Sequence, residues 1–208
     1  MSGFIDLQNW KHREHFEFFR GFGHPFFSVC ADVDVTDVSR RAREPGGPPL
    51  FLATLYALLQ ATHQVEALRL RIREGGVWKH DRVGVSTTVL RDDETFGLAW
   101  LHDADDFAQF ASKAEPILRE VRSGRGFPVP DGDDVVYHST LPWLKFTAFS
   151  NALTMRDSIP RVVFGKCVPS GDRIVMPVGV EVHHAVVHGL DVARFYDRLQ
   201  ERLSDPSG

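Results

Sequence analysis

Residues 173–203 read as a strand, a turn and a helix, and they set what the rest of the chain must pack around. Val178, Val180 and Val182 alternate with Gly179, Glu181 and His183, the period of two that marks a β-strand. The strand runs into the pair His183-His184 and then a small-residue turn at Gly189. Beyond it Leu190, Ala193, Phe195, Leu199 and Leu203 recur at helical spacing among Arg and Asp residues. An imidazole at the end of a rigid strand is well held and can still reach a cleft. That placement suits a general base, because histidine titrates near neutral pH.

The remaining segments predict further strands and helices. Asp6 is a candidate cap for a helix carrying Trp10, Phe16, Phe18 and Phe19. A strand is expected over 26–35 and a short basic helix over 34–43, ended by Pro45-Gly46-Gly47-Pro48-Pro49. Residues 50–65 are apolar on nearly every face, which predicts a buried helix. Strands follow at 68–72 and 77–79 around a Gly75-Gly76 turn, and at 83–90 and 95–101 around an acidic turn. An amphipathic helix over 105–121 leads into a Gly/Pro-rich loop, 123–134, and strands are expected at 135–140, 161–167 and 173–182. Strands and helices mix without strict βαβ alternation. The expected class is therefore α/β in the broad sense, an α+β two-layer sandwich with a mixed, largely antiparallel sheet and packed helices. With no repeat and no low-complexity linker, residues 1–208 are expected to form one domain.

Composition narrows the function classes. A formal charge of -4 without a Lys/Arg block argues against a nucleic-acid partner. No apolar run approaches the ~20 residues that span a bilayer, so no membrane partner is expected. The start of the chain lacks the basic and apolar regions of a signal peptide. Cys30 and Cys167 form neither a CxxC motif nor a disulfide framework, and the expected location is the reducing cytoplasm.

Three separated segments carry a resemblance. Asn9-Trp10-Lys11-His12-Arg13-Glu14-His15-Phe16-Glu17-Phe18-Phe19-Arg20 resembles the N-terminal segment of the classical (type A) chloramphenicol acetyltransferases. Ser139-Thr140-Leu141-Pro142-Trp143 is similar to their Ser-x-Leu-Pro-Trp segment, and residues 171–195 resemble their C-terminal catalytic block. The likeness runs in order over essentially the whole chain. It implies the coenzyme A-dependent acyltransferase fold, acetyl-coenzyme A as co-substrate, no metal, and a homotrimer with active sites at subunit interfaces. By the same resemblance His184 is the general base and Ser139 the hydroxyl that hydrogen-bonds the oxyanion. Trp143 and Lys166 match positions lining the coenzyme A channel. Phe18, Phe19, Phe27, Phe96, Phe127 and Phe149 match aromatic positions of the pocket for a small-molecule acceptor, and Val163 matches a position beside it.

The chain departs from the family pattern at identifiable points. His-x-x-x-Asp-Gly reads here His184-Ala185-Val186-Val187-His188-Gly189, and the Arg that pairs with the family Asp is His12. Both halves of a buried ion pair differ together, as a contact requires, since either charge alone would be costly. The expectation is that His12 and His188 form a neutral brace through one N–H···N bond. Phe19 stands where the family carries a Tyr hydroxyl, Val163 where it carries Thr, and Cys167 where it carries an aromatic. His12, His15, His183, His184 and His188 could instead gather round a metal, but a strand end does not place them on one helical face as HExxH zinc sites require.

The expected function is acetyl-coenzyme A-dependent O-acetylation of chloramphenicol or a similar small hydroxyl compound, with antibiotic resistance as its consequence. Two alternatives stand beside it: acyl transfer to another alcohol or amine, and a trimeric ligand-binding protein that has lost turnover.

Overall fold

The computed structural model describes residues 1–124, 131–152 and 157–204. In chain order the elements are β1 (Gly3–Phe4), α1 (Arg13–Phe19), β2 (Phe26–Asp34), α2 (Thr36–Arg41), α3 (Leu50–Gln64), β3 (Leu70–Arg73), β4 (Gly76–Lys79), β5 (Gly84–Leu90), β6 (Phe96–Leu101), α4 (Phe107–Ser123), β7 (Val135–Thr140), β8 (Arg161–Phe164), β9 (Val168–Ser170), β10 (Arg173–His183) and α5 (Gly189–Ser204). A 3₁₀ turn, Glu66–Arg69, links α3 to β3.

β10 is the organising strand. It pairs antiparallel with β2 along one edge and with β8 and β9 along the other, and the main sheet runs β2-β10-β8-β7-β5-β6. The β7–β8 and β5–β7 pairs are parallel and the rest antiparallel, so the sheet is mixed and largely antiparallel. A small separate sheet, β1-β4-β3, stands beside it. Along β10 the Val178, Val180 and Val182 side chains are all but inaccessible to water and belong to the main core. Each such burial stabilises the fold by roughly 1.5–3 kcal/mol relative to exposure. Phe195, Leu199 and Leu203 of α5 supply the opposing surface.

α3 is buried all round, as its composition requires: every residue from Leu52 through Leu59 is buried. Its polar groups are satisfied internally, Thr62 Oγ1 donating to Leu58 O at 2.8 Å and Tyr56 Oη to Asp105 O at 3.3 Å. A helix without a wet face must be enclosed, and α3 packs against α2, α4, α5 and β5.

The structure corrects several local expectations. Asp6 does not cap a helix. It accepts from the Gln8 N–H at 3.0 Å and the Asn9 side chain at 2.7 Å, closing an Asx turn, and α1 begins only at Arg13. The β3–β4 turn is Glu74-Gly75, not Gly75-Gly76. Both residues have positive φ (50° and 77°), the geometry a two-residue hairpin loop demands, and Gly76 already pairs with Arg73. The strand expected over 161–167 ends at Phe164 as β8, and a separate strand, β9, begins only at Val168; between them residues 165–167 face only Met176 and Pro177 across the ladder. Pro177 has no N–H to donate, and the displaced segment bonds elsewhere: Gly165 N to Pro177 O at 2.9 Å, Lys166 N to Leu144 O at 2.8 Å.

Leu58, 0 % exposed at the centre of α3, has no room to be replaced by a smaller side chain without leaving a cavity. Leu58→Ala is expected to cost about 2–5 kcal/mol, read as a lower midpoint in urea unfolding with an unchanged slope.

Candidate active site

β10 ends at His183, and the next residue turns away from the sheet. The His184 N–H donates to Pro25 O at 2.7 Å, and the Val186 and Val187 N–H groups both donate to His183 O at 3.1 Å. The two histidines therefore take different roles. His183 is 7 % exposed, packs on the edge of Phe26, and accepts from the Ala185 N–H through Nδ1 at 3.2 Å. Burial pushes it down to about 4, so it is neutral and structural. His184 faces an aromatic pocket. Phe19 lies parallel to it, 4.0 Å between centroids and 10° between planes, and Phe27 is 4.6 Å away. Its Nδ1 is buried without a hydrogen-bond partner among the described residues, which leaves Nε2 as the nitrogen able to meet a ligand.

His188 stands at the N-terminus of α5, where its N–H donates to Asp191 Oδ2 at 3.0 Å and its carbonyl accepts from the Asp191 and Val192 N–H groups. The structure brings His12 and His188 together, with 4.8 Å between ring centroids and 44° between planes. They are not joined by the expected N–H···N bond: His188 Nε2 is buried with no hydrogen-bond partner among the described residues. The two rings pack at a tilt, and His15 adds an edge-on contact at 5.1 Å from His188. Burial lowers both His12 and His188 below the ordinary histidine value, and their neighbours in the cluster add to the effect. Among the described residues no group of three or more His, Cys, Asp or Glu side chains is arranged to hold a metal ion.

Ser139 lies elsewhere. It is the penultimate residue of β7, and its hydroxyl is 2.9 Å from that of Thr88 on β5, a partner that nothing in the sequence singles out. Ser139 is shared by the walls of two cavities. One, of about 860 Å³, also includes Thr88, Phe96, Tyr137, Phe149 and Asn151. The other, of about 960 Å³, includes Phe96, Thr140, Trp143, Lys166 and Cys167. The Cys167 thiol on that second wall is pushed up by burial.

Glu181 explains how Phe149 is held. Buried at 4 % exposure in β10, its carboxylate accepts from the Asn151 N–H at 3.0 Å, the Asn151 side chain at 2.7 Å and the Ser28 hydroxyl at 3.3 Å. Gly179 leaves the space: a Cβ there would sit 3.3 Å from Phe149 Cβ and 3.4 Å from the Phe146 ring. Val163 pairs with both Gly179 and Ser139 and so shares their sheet face, but it is 1 % exposed and is on neither cavity wall. Phe18 is 62 % exposed and packs edge-on against Phe19 and against Phe22. Phe127 lies outside the described residues.

The expected site residues thus fall into two groups. His184 gathers His12, His188, Phe19 and Phe27, while Ser139 gathers Phe96, Phe149, Trp143 and Lys166. His184 lies five residues beyond Gly179, and Gly179 is two strands from Ser139. At ~3.3 Å per residue and ~4.8 Å per strand the two groups are roughly 19 Å apart within one chain.

A sequence profile of the family described as "Chloramphenicol acetyltransferase" matches residues 2–200. The chain is 32 % identical to chloramphenicol acetyltransferase 3 of Escherichia coli, over 95 % of this chain and 94 % of the relative. It is 31 % identical to a chloramphenicol acetyltransferase of Streptomyces acrimycini, over 98 % and 94 %. Among solved structures, a chloramphenicol acetyltransferase superposes with a TM-score of 0.91 at 27 % identity, covering 98 % of this chain and 100 % of the other. The dihydrolipoamide acetyltransferase of Azotobacter vinelandii shares the fold, with a TM-score of 0.69 at 17 % identity over 93 % and 86 % of the chains.

The lowered values of His12, His183 and His188 have one sign. The native state protonates less readily than the unfolded chain, so their contribution to stability is complete above about pH 6.5 and is lost as pH falls through the lowered values. Urea melts at pH 7, 6 and 5 should show falling stability before most carboxylates titrate. A flat profile down to pH 5 would contradict the burial of this cluster.

Proposed function

Because the chain belongs to the chloramphenicol acetyltransferase family and is an acyltransferase of that family, we propose that it transfers acetyl from acetyl-coenzyme A to the hydroxyl of chloramphenicol or a similar small compound. The observation that carries this reading is the division of the site. One surface presents His184 among Phe19 and Phe27, and another presents Ser139 where two cavities meet. Neither is complete alone. In a homotrimer the His184 surface of each copy would meet the Ser139 surface of the next, and the symmetry would make three such sites. The cavity with Trp143 and Lys166 would take the acyl donor, and the one with Phe149 the acceptor.

The chemistry follows from these groups. The acceptor hydroxyl gives its proton to His184 Nε2 as its oxygen attacks the thioester carbonyl carbon. The carbonyl electrons move onto oxygen, and the Ser139 hydroxyl donates to that oxyanion. Thr88, 2.9 Å from Ser139, can donate in turn to Ser139, fixing its hydroxyl rotor and polarising it. On collapse the C–S bond breaks, and the leaving sulfur takes the proton from the imidazolium. The thioester is already activated, so no acyl-enzyme is needed and held proximity supplies much of the rate.

Phe19 offers no hydroxyl to an acceptor, which favours a second reading, acyl transfer to a different alcohol or amine. The protein would work in the cytoplasm, and with chloramphenicol as acceptor it would confer resistance.

Thiol release from acetyl-coenzyme A across an acceptor panel tests both. His184→Ala should lower kcat/KM by about 10²–10⁴, and Ser139→Ala by about 10²–10³. Refolding the two variants together should restore on the order of a quarter of the sites by random assortment in a trimer. No recovery from well-folded mixed trimers would sink the interfacial arrangement, and turnover confined to acceptors other than chloramphenicol selects the second reading.

A further inference from the structure

The cavity that holds Trp143 and Lys166 has four hydroxyl-bearing side chains on its wall: Thr54, Thr88, Ser139 and Thr140. Three are engaged. Thr54 Oγ1 donates to carbonyls of the preceding turn of α3, Leu50 O and Phe51 O, each at 3.0 Å. Thr88 and Ser139 are bonded to each other. Thr140 Oγ1 is shielded from water and has no hydrogen-bond partner among the described residues. Its surroundings on the wall are apolar, with Phe51, Leu141, Phe164 and Met176. A hydroxyl enclosed in such a wall without a partner carries a free-energy cost, so a ligand group in the cavity toward which the side chain turns its Oγ1 offsets that cost. The other orphan on this strand, His138 Nε2, does not compete, because His138 lies outside this cavity's wall, packed on Phe164 and bonded to Thr87.

Thr140 directly follows Ser139 and pairs with Phe164 of β8, so alternation turns it to the opposite sheet face from Ser139. Both residues are nevertheless on the wall of the same cavity, so a ligand whose reacting carbonyl lies at Ser139 and whose chain continues through that cavity passes Thr140. In an acyl thioester of coenzyme A those atoms are the pantetheine arm, a methylene chain whose first amide lies two carbons beyond the sulfur. An amide drawn into an apolar channel needs a partner, and Thr140 is the hydroxyl free to be one.

We infer that Thr140 Oγ1 hydrogen-bonds a pantetheine amide of the acyl donor, an assignment that rests on the acetyl-coenzyme A reading above. It makes Thr140 a binding residue for the donor, distinct from the reacting groups.

Calorimetric titration with coenzyme A and with adenosine 3′,5′-bisphosphate, which lacks the pantetheine arm, tests it. Thr140→Val should weaken coenzyme A by about 2–12-fold, the worth of one hydrogen bond, and leave the bisphosphate unchanged. Thr140→Ser should bind both as the parent does. Without ligand, Thr140→Val should melt no lower than the parent, since it keeps the shape and removes an orphaned hydroxyl. Unchanged coenzyme A binding in Thr140→Val, equal weakening of both ligands, or a destabilised or unfolded Thr140→Val overturns the assignment. Failure of the parent itself to bind coenzyme A overturns the proposed function, and the assignment with it.

Discussion

The period-two alternation of β10 is the constraint on which the remaining geometry depends. Its valines commit one face of the sheet to the core under α3 and α5, so the intervening residues must point the other way. Gly179, Glu181 and His183 occupy those positions and each does something a larger or apolar residue could not. Gly179 leaves room for Phe149, Glu181 ties down the segment that carries it, and His183 closes the turn that aims His184. A slip of one residue in register would exchange the two faces and dismantle both halves of the site. The fold and the site are thus specified by the same run of residues.

The His184 surroundings show how a family position can change without losing order. Where an Arg–Asp ion pair would demand matched charges in a desolvated place, this chain packs the rings of His12, His15 and His188 against one another. At His12 and His188 desolvation, then neighbouring positive charge, favours the uncharged form, so packing and protonation state support each other there. Asp191, which closes the start of α5 on His188, contributes a nearby negative charge and opposes that trend.

Much of this was legible in the sequence where a single period dominates a long segment. β10, α5 and the fully apolar α3 fall close to their expected bounds, and the mixed sheet follows from the order of strands and helices. Short elements were not legible: β9 and β1 are too brief to show a period, and the interruption at residues 165–167 exists only because β10 presents a proline there. The Asp6 turn and the Glu74-Gly75 hairpin depend on local hydrogen bonding and φ signs that composition leaves open. Within the site, His184, Ser139 and the aromatic set came from motif resemblance. Thr88, Glu181 and Asn151 are set by pairing across strands distant in sequence, which one chain read alone does not reveal. Val163 shares the sheet face of Gly179 and Ser139, as its pocket reading requires, yet it is buried there, which a sequence pattern alone does not show.

The proline in β10 reaches further than its own strand. Lacking an N–H, Pro177 leaves the ladder with one donor fewer, and beyond Gly165, which still donates to Pro177 O, the neighbouring chain turns its next N–H to Leu144 O. Gly165, Lys166 and Cys167, the displaced residues, together with Met176 beside the proline, form one side of the larger cavity. A missing donor in the middle of a sheet is ordinarily a defect, yet here it coincides with the stretch where the neighbouring chain leaves the ladder to line a cavity. One wall of that cavity is therefore placed by main-chain bonding as well as by its side chains.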